Sequence, residues 1–435
     1  MTERRELPGG ATLYALESHA VPLVSITIAT RTGCALDPVG RDGLLRIALR
    51  MLRRGADGLS SADIEDTIDR LGAELAIDVG SSVTTLYGQV ISRNVDAFVS
   101  LLCRLLSSPT VDEAELARLL RETRAEILEA RDNDRSLAER AFRRAVFAGH
   151  PYGRSSRGTQ STLEGISRHE VAQSLATHFV RGNLVLAVAG DVSVERAARL
   201  AERIVMSVPQ GSSTPDVTPE PAPVQGRRLV FVDKPDRSQT QIVIGGLGTS
   251  PHDADHSALL VGNAVFGGTF TARLMKEVRS KRGWSYGASS RLNIDRARHS
   301  FSMWTFPGAT DAAPCVALEL DLLQKWTQGG ITAREHAFVS KYLVRSFAFD
   351  IDTASKRVHQ LLDEDVLGLM PGYYGDYTER VLSTKLEEIN AAIQARISPR
   401  DLTIAVVGTA STSFNAVRDA CGELASATTV AFDAD

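Results

Sequence analysis

Two short segments of this chain match each other 218 residues apart, and that repetition limits its possible folds more than any other feature. Asn183–Gly190 reads N-L-V-L-A-V-A-G and Asp401–Gly408 reads D-L-T-I-A-V-V-G, with four of eight positions identical. Each is a short apolar, β-branched run closed by glycine, the pattern of a buried strand. Leu23–Ala29 (L-V-S-I-T-I-A) and Thr240–Gly246 (T-Q-I-V-I-G-G) repeat the relation at nearly the same offset. Each is followed by a helical pattern, from about Gly43 and from about Asp255. Two matches in one register point to a duplicated unit, so the chain should fold as two similar halves.

A proline-rich segment separates the halves. Residues 207–226 hold five of the sixteen prolines, and proline removes backbone donors and favours extended chain. The expected division is an N-terminal domain over 1–206, a linker over 207–226 and a C-terminal domain over 227–435. A length of 435 residues agrees, since single cores rarely grow beyond about 250–300 residues. Within the first half, Val83–Ile91 reads as strand, and Val95–Leu106 and Asp112–Arg131 as helices. Strands and helices come in clusters rather than strict alternation. The expected class is therefore α+β, each domain a mainly antiparallel sheet with packed helices.

Bulk properties exclude several functions. A formal net charge of −4 gives no electrostatic reason to expect nucleic acid as a partner. No apolar run reaches the roughly 18 residues of a membrane span. The N-terminal residues lack an apolar leader core, which predicts a cytoplasmic protein, with the periplasm as the alternative. Cys34, Cys103, Cys315 and Cys421 lie far apart without a C-x-x-C pair and read as free thiols. Arginine so outweighs lysine that the first lysine is Lys234, a bias we read as the codon usage of a GC-rich bacterium.

Gly43–Gly55 reads G-L-L-R-I-A-L-R-M-L-R-R-G, with Leu44, Ile47, Ala48, Met51 and Leu52 at helical spacing. Together with L-G-A-E-L over 71–75 and G-H-P-Y-G over 149–153, it resembles the insulinase/pitrilysin-type zinc metallopeptidases, most closely their mitochondrial-processing-peptidase-like branch. In that family this helix carries H-x-x-E-H, two zinc-binding histidines and a general-base glutamate. Here the resemblance places Arg46 and Arg50 at the histidine positions and Leu49 at the glutamate. Arginine has no lone pair for zinc and leucine accepts no proton. Glu126, 76 residues beyond Arg50, matches the family's third ligand. One ligand of three does not hold zinc, so no metal is expected in this chain. Arg46 and Arg50 are then either solvated, or one of them pairs with Glu126 in place of the metal.

The second half carries a more specific match. Gly267–Leu274 (G-G-T-F-T-A-R-L) leads into Met275–Ser290 (M-K-E-V-R-S-K-R-G-W-S-Y-G-A-S-S). This resembles the family's C-terminal-domain signature, whose Arg and Tyr, seven residues apart, face the zinc site across a chamber. Arg279 and Tyr286 have that spacing; Arg282 does not. The resemblance implies that both hydrogen-bond the substrate backbone, where a donor must meet the developing oxyanion. His252 and His256, in P-H-D-A-D-H with Asp253 and Asp255, follow a proline and read as a helix start rather than a metal site, and His150 as structural.

The resemblance spans the whole chain and implies two similar domains closing as a clamshell. A chain without the zinc helix but with the Arg/Tyr pair is similar to the non-catalytic subunit of a heterodimeric peptidase. It would be inactive alone. Its partner would be a homologous H-x-x-E-H chain holding the zinc, and its ligand a peptide bound as an added strand. A structural scaffold subunit and a peptide-binding homodimer are the alternatives.

Overall fold

The structure, a computed structural model, describes residues 2–215 and 218–434. Within the proline-rich segment, residues 216 and 217 lie outside the described ones, and the others form neither helix nor strand. The chain divides into two compact units, each holding one six-stranded sheet.

The first sheet uses strands β1 (Glu3–Glu6), β2 (Thr12–Glu17), β3 (Leu23–Thr30), β4 (Ala73–Val79), β5 (Thr84–Ile91) and β6 (Leu184–Gly190). Their order is β1-β2-β6-β3-β5-β4. Only β2 and β6 run parallel; the other pairs are antiparallel. The second sheet uses β7 (Arg228–Asp233), β8 (Gln241–Leu247), β9 (Ala288–Leu292), β10 (Ser300–Thr305), β11 (Thr403–Gly408) and β12 (Ser426–Ala431). Its order, β12-β7-β11-β8-β10-β9, repeats the first, with β7–β11 in the place of the parallel β2–β6 pair. The sheets differ at one edge. β1, from the N-terminal region, pairs antiparallel with β2, whereas β12, from the C-terminal region, pairs parallel with β7.

The first unit's helices include α1 (Leu44–Met51) and α2 (Glu113–Glu129). They pack on one sheet face, where Ile26, Ile28, Leu186 and Val188 join Leu45, Ile47, Leu49 and Leu119 in a single core. Next along the chain comes α3 (Asp134–Val146), and it belongs to the second unit. The second unit's main core includes α4 (Ala312–Gly329), whose Trp326 stacks on Phe266 and Phe301. The helix α5 (Ala354–Leu367) then belongs to the first unit.

The two units have thus exchanged one helix each. In the first, Val358, Leu362 and Val366 of α5 cover Val185, Ala187 and Ala189, the β6 residues on the face away from the main core. In the second, α3 packs along β11, β8 and β7. Coverage on both faces explains the unbroken apolar runs of β6 and β11: with no wet face, no alternation is needed. Compactness therefore does not follow chain order. The first unit gathers 1–127, 154–218 and 348–374; the second takes 128–153, 219–347 and 375–435.

Candidate functional site

In the first unit, α1 is held at its start by Asp37, whose carboxylate accepts the backbone N–H groups of Gly43 (2.9 Å) and Leu45 (3.0 Å). These are two of the donors a helix start leaves unpaired. Gly43 has φ +93, and a Cβ there would lie 2.8 Å from the Gly158 nitrogen, so the turn into α1 requires glycine. Burial outweighs these hydrogen bonds and pushes the Asp37 carboxyl up to about 7.

The apolar face of α1 turns Leu44, Leu45, Ile47, Ala48, Leu49 and Met51 into the core. Leu49, which the resemblance sets at the general-base position, is fully buried and serves packing. Arg46 and Arg50 occupy the other face. Arg50, rather than Arg46, takes Glu126 of α2: its two terminal nitrogens donate to the two carboxylate oxygens at 2.8 and 3.1 Å. It also donates to the buried Thr123 hydroxyl at 3.0 Å. A carboxylate already occupied by the Arg50 guanidinium, with Arg46 on the same helix face, is no donor set for zinc. Among the described residues no group of three or more His, Cys, Asp or Glu side chains is placed to hold a metal.

Reading the sequence alone missed how far this pairing extends. Arg54 bonds Glu122 and lies 3.7 Å from Glu115, while Arg53 is paired with Glu65 and donates to the Leu75 carbonyl at 2.7 Å. Glu115, Glu122 and Glu126 recur at intervals of seven and four along α2, one face of a helix, and that spacing was the available signal. Arg46, Arg50, Arg53 and Arg54 line an open cavity of about 470 Å³ together with Ser61, Glu65 and Ile77.

Arg279 and Tyr286 lie in the second unit. Arg279 ends a wide helical turn, Met275–Ser280, and Tyr286 sits in the bend that enters β9. Gly267 before them is dictated by packing: a Cβ there would come within 2.5 Å of the Ser290 backbone nitrogen in β9. The bend is pinned by Ser285, whose hydroxyl donates to the Gly287 carbonyl (2.6 Å) and accepts the Phe306 N–H (3.1 Å). On this pinned bend the Tyr286 side chain is 80% exposed. Arg279 is exposed too, and its guanidinium lies 5.2 Å from the centre of the exposed Phe270 ring. No hydrogen bond or ion pair joins Arg279 to Tyr286 among the described residues. Arg282, the neighbour with the wrong spacing, is engaged by the Glu277 carboxylate and carbonyl, both at 3.0 Å.

The histidines do other work. His256 is buried at the start of its helix with Nδ1 2.8 Å from the Thr249 hydroxyl, and burial pulls its pKa down to about 4. His252 is exposed. His150 fixes the G-H-P-Y-G turn, with Nε2 2.7 Å from the Pro219 carbonyl and Nδ1 accepting the Tyr152 N–H. Among the described residues no helix is long and apolar enough to cross a membrane.

Residues 165–341 match the family model described as the peptidase M16 inactive domain. A Helicobacter pylori protein named non-peptidase homolog YmxG is 22% identical over 394 residues, covering 90% of each chain. A Rickettsia bellii protein named as an uncharacterized zinc protease is 26% identical over 288 residues, 66% of this chain and 68% of its own. Among solved structures, a Pseudomonas fluorescens protein described as a peptidase M16 inactive domain superposes with a TM-score of 0.86 at 24% identity, over 94% of this chain and 98% of its own. A chain of Complex III2 from Candida albicans superposes with a TM-score of 0.77 at 14% identity, over 98% of this chain and all of its own.

Proposed function

The chain belongs to the M16 peptidase family, as a member whose zinc helix carries no zinc ligand, and we propose that it is the non-catalytic subunit of a two-chain zinc metallopeptidase. Its partner in this reading is a homologous H-x-x-E-H chain, which holds the zinc. This chain binds the peptide and lends Arg279 and Tyr286 to the partner's site.

One observation carries the proposal. Arg279, in the helical turn, and Tyr286, on the bend pinned by Ser285, are exposed and have no side-chain hydrogen bond or ion pair among the described residues, while Arg282 between them is tied to Glu277. An aromatic side chain that served packing would be buried. A phenol and a guanidinium presented to solvent are donors awaiting an acceptor. The acceptor we assign is the carbonyl oxygen of a bound peptide. As water attacks that carbonyl, negative charge grows on its oxygen, and both donors gain strength as it does. The peptide lies extended, held through its backbone, which gives affinity with little sequence preference.

The test is co-expression with the nearest homologous H-x-x-E-H chain, followed by assay of zinc content and cleavage of a quenched peptide. Activity and zinc should appear in the pair and not in this chain alone. Tyr286→Phe should then lower turnover by roughly 10²–10³-fold. Because Tyr286 is exposed, the melting temperature should stay put, so a lost rate reports chemistry rather than folding. An assembled, zinc-loaded pair with unchanged kinetics in Tyr286→Phe would remove the assigned role. A second reading, a structural scaffold subunit, draws on the fold shared with the Complex III2 chain. It predicts a stable pair with no peptidase activity.

A further inference from the structure

The cavity beside α1 has a charge imbalance that the pairing with α2 does not remove. Four arginines line it, and Glu65 is the one acidic residue among its lining side chains. Arg50, Arg53 and Arg54 each have a carboxylate partner: Glu126, Glu65 and Glu122. Among the described residues Arg46 has none, and its Nε is buried without a hydrogen-bond partner. An unsatisfied buried donor destabilises the folded chain, and a like charge one helical turn away adds to that cost. Burial, then the positive charges of Arg50 and Arg157, hold the Arg46 guanidinium below its ordinary pKa, and Glu126 and Asp78 offset only part of this.

A folded chain relieves such crowding when an anion arrives. The geometry points to an oxyanion-binding site in this cavity, with Arg46 as its primary anchor and a phosphate or carboxylate group as its ligand. Guanidinium presents paired N–H donors that match two oxygens of either group, and the surrounding arginines add long-range attraction. At about 470 Å³ the cavity exceeds the size of a bare ion, which suits an anionic group carried on a larger molecule. This site is separate from the assignment of Arg279 and Tyr286 and does not depend on it. It gives the former zinc helix a ligand of opposite charge to the metal it has lost the means to bind.

The experiment is calorimetric titration of the full chain with inorganic phosphate, and separately with succinate, at fixed ionic strength made up with chloride. Saturable single-site heat with either probe is expected, and the tighter probe identifies the oxyanion. Arg46→Gln should weaken binding by about tenfold or more, the loss of one charge-assisted pair. Arg46→Lys, which keeps the charge and loses the fork, should weaken it less. The exposed Arg400→Gln, which removes the same charge far along the chain, should leave binding unchanged. Phosphate should also raise the melting temperature of the parent chain and not that of Arg46→Gln. The inference is overturned if neither probe gives saturable heat, if Arg46→Gln binds as the parent does, or if Arg400→Gln loses as much affinity as Arg46→Gln.

Discussion

Glu319 shows how a single residue sets a property of the protein. It lies fully buried in α4, accepts one hydrogen bond from the Thr305 hydroxyl (3.2 Å), and leaves its other oxygen unpartnered. Burial pushes its carboxyl from 4.5 up to about 8. The folded chain therefore keeps a proton that the unfolded chain has released over this range. The Glu319 contribution to stability is full below about pH 4.5 and declines as pH rises towards 8, the opposite of a carboxylate held by a salt bridge. Asp37, raised from 3.8 to about 7, adds to the decline in the lower part of the range. Glu319→Gln keeps the shape and stays neutral, so its melting temperature should exceed the parent's at pH 8 and match it near pH 5. Melting curves across that range check this, and parallel curves for the two proteins would refute it. Arg50 and Glu126 are joined as an ion pair, which ties α1 to α2 by charge.

At the scale of elements, the exchanged helix α3 is anchored by a nearly buried cation. Lys234, next after β7, donates to Asp134 (2.7 Å) and to the Arg131 carbonyl (2.8 Å), and its side chain is 8% exposed. Asp134→Ala would leave that ammonium with one carbonyl, so the loss should be about 2–3 kcal/mol in urea denaturation. A change under about 0.5 kcal/mol would mean that the pair is solvated in practice. The elements differed in how well the sequence revealed them. β6 and β11 were legible because both faces are buried and every side chain in the run is apolar or small. β2 and β4 passed unread: β4, A-E-L-A-I-D-V, is half open to solvent, and β2, T-L-Y-A-L-E, is largely buried but mixes polar residues into a run without clean alternation. The absence of zinc ligands on α1 could be read from residue types alone. Which arginine would claim Glu126 could not, because that depends on how α2 lies against α1. The exposure of Tyr286 was equally hidden, since it follows from a bend fixed by Ser285 and a glycine packed against β9.

For the whole molecule, the exchange of α3 and α5 predicts that the two sequence repeats do not stand alone as folding units. A chain cut at the proline-rich segment separates β7, β8 and β11 from α3. Val232, Val243, Ala405 and Val407, all buried in the intact protein, point to the sheet face away from the main core, along which α3 runs. Exposed together, they form an apolar patch of the kind that drives association. The fragment 227–435 should therefore aggregate or melt without a cooperative transition. The same fragment with residues 128–153 joined through a flexible linker regains Leu137, Ala138, Phe142 and Val146 as cover and should melt cooperatively as a monomer. Size-exclusion chromatography and circular dichroism on the two fragments decide it, and a monomeric, cooperatively melting 227–435 would show the exchange to be dispensable. The dependence has a functional side. α3 packs directly on the sheet whose β9 fixes the Tyr286 bend, so residues encoded in the first repeat maintain the surface on which Arg279 and Tyr286 are displayed. The duplication preserved two sheets of one topology; the exchanged helices make each depend on the other half of the sequence.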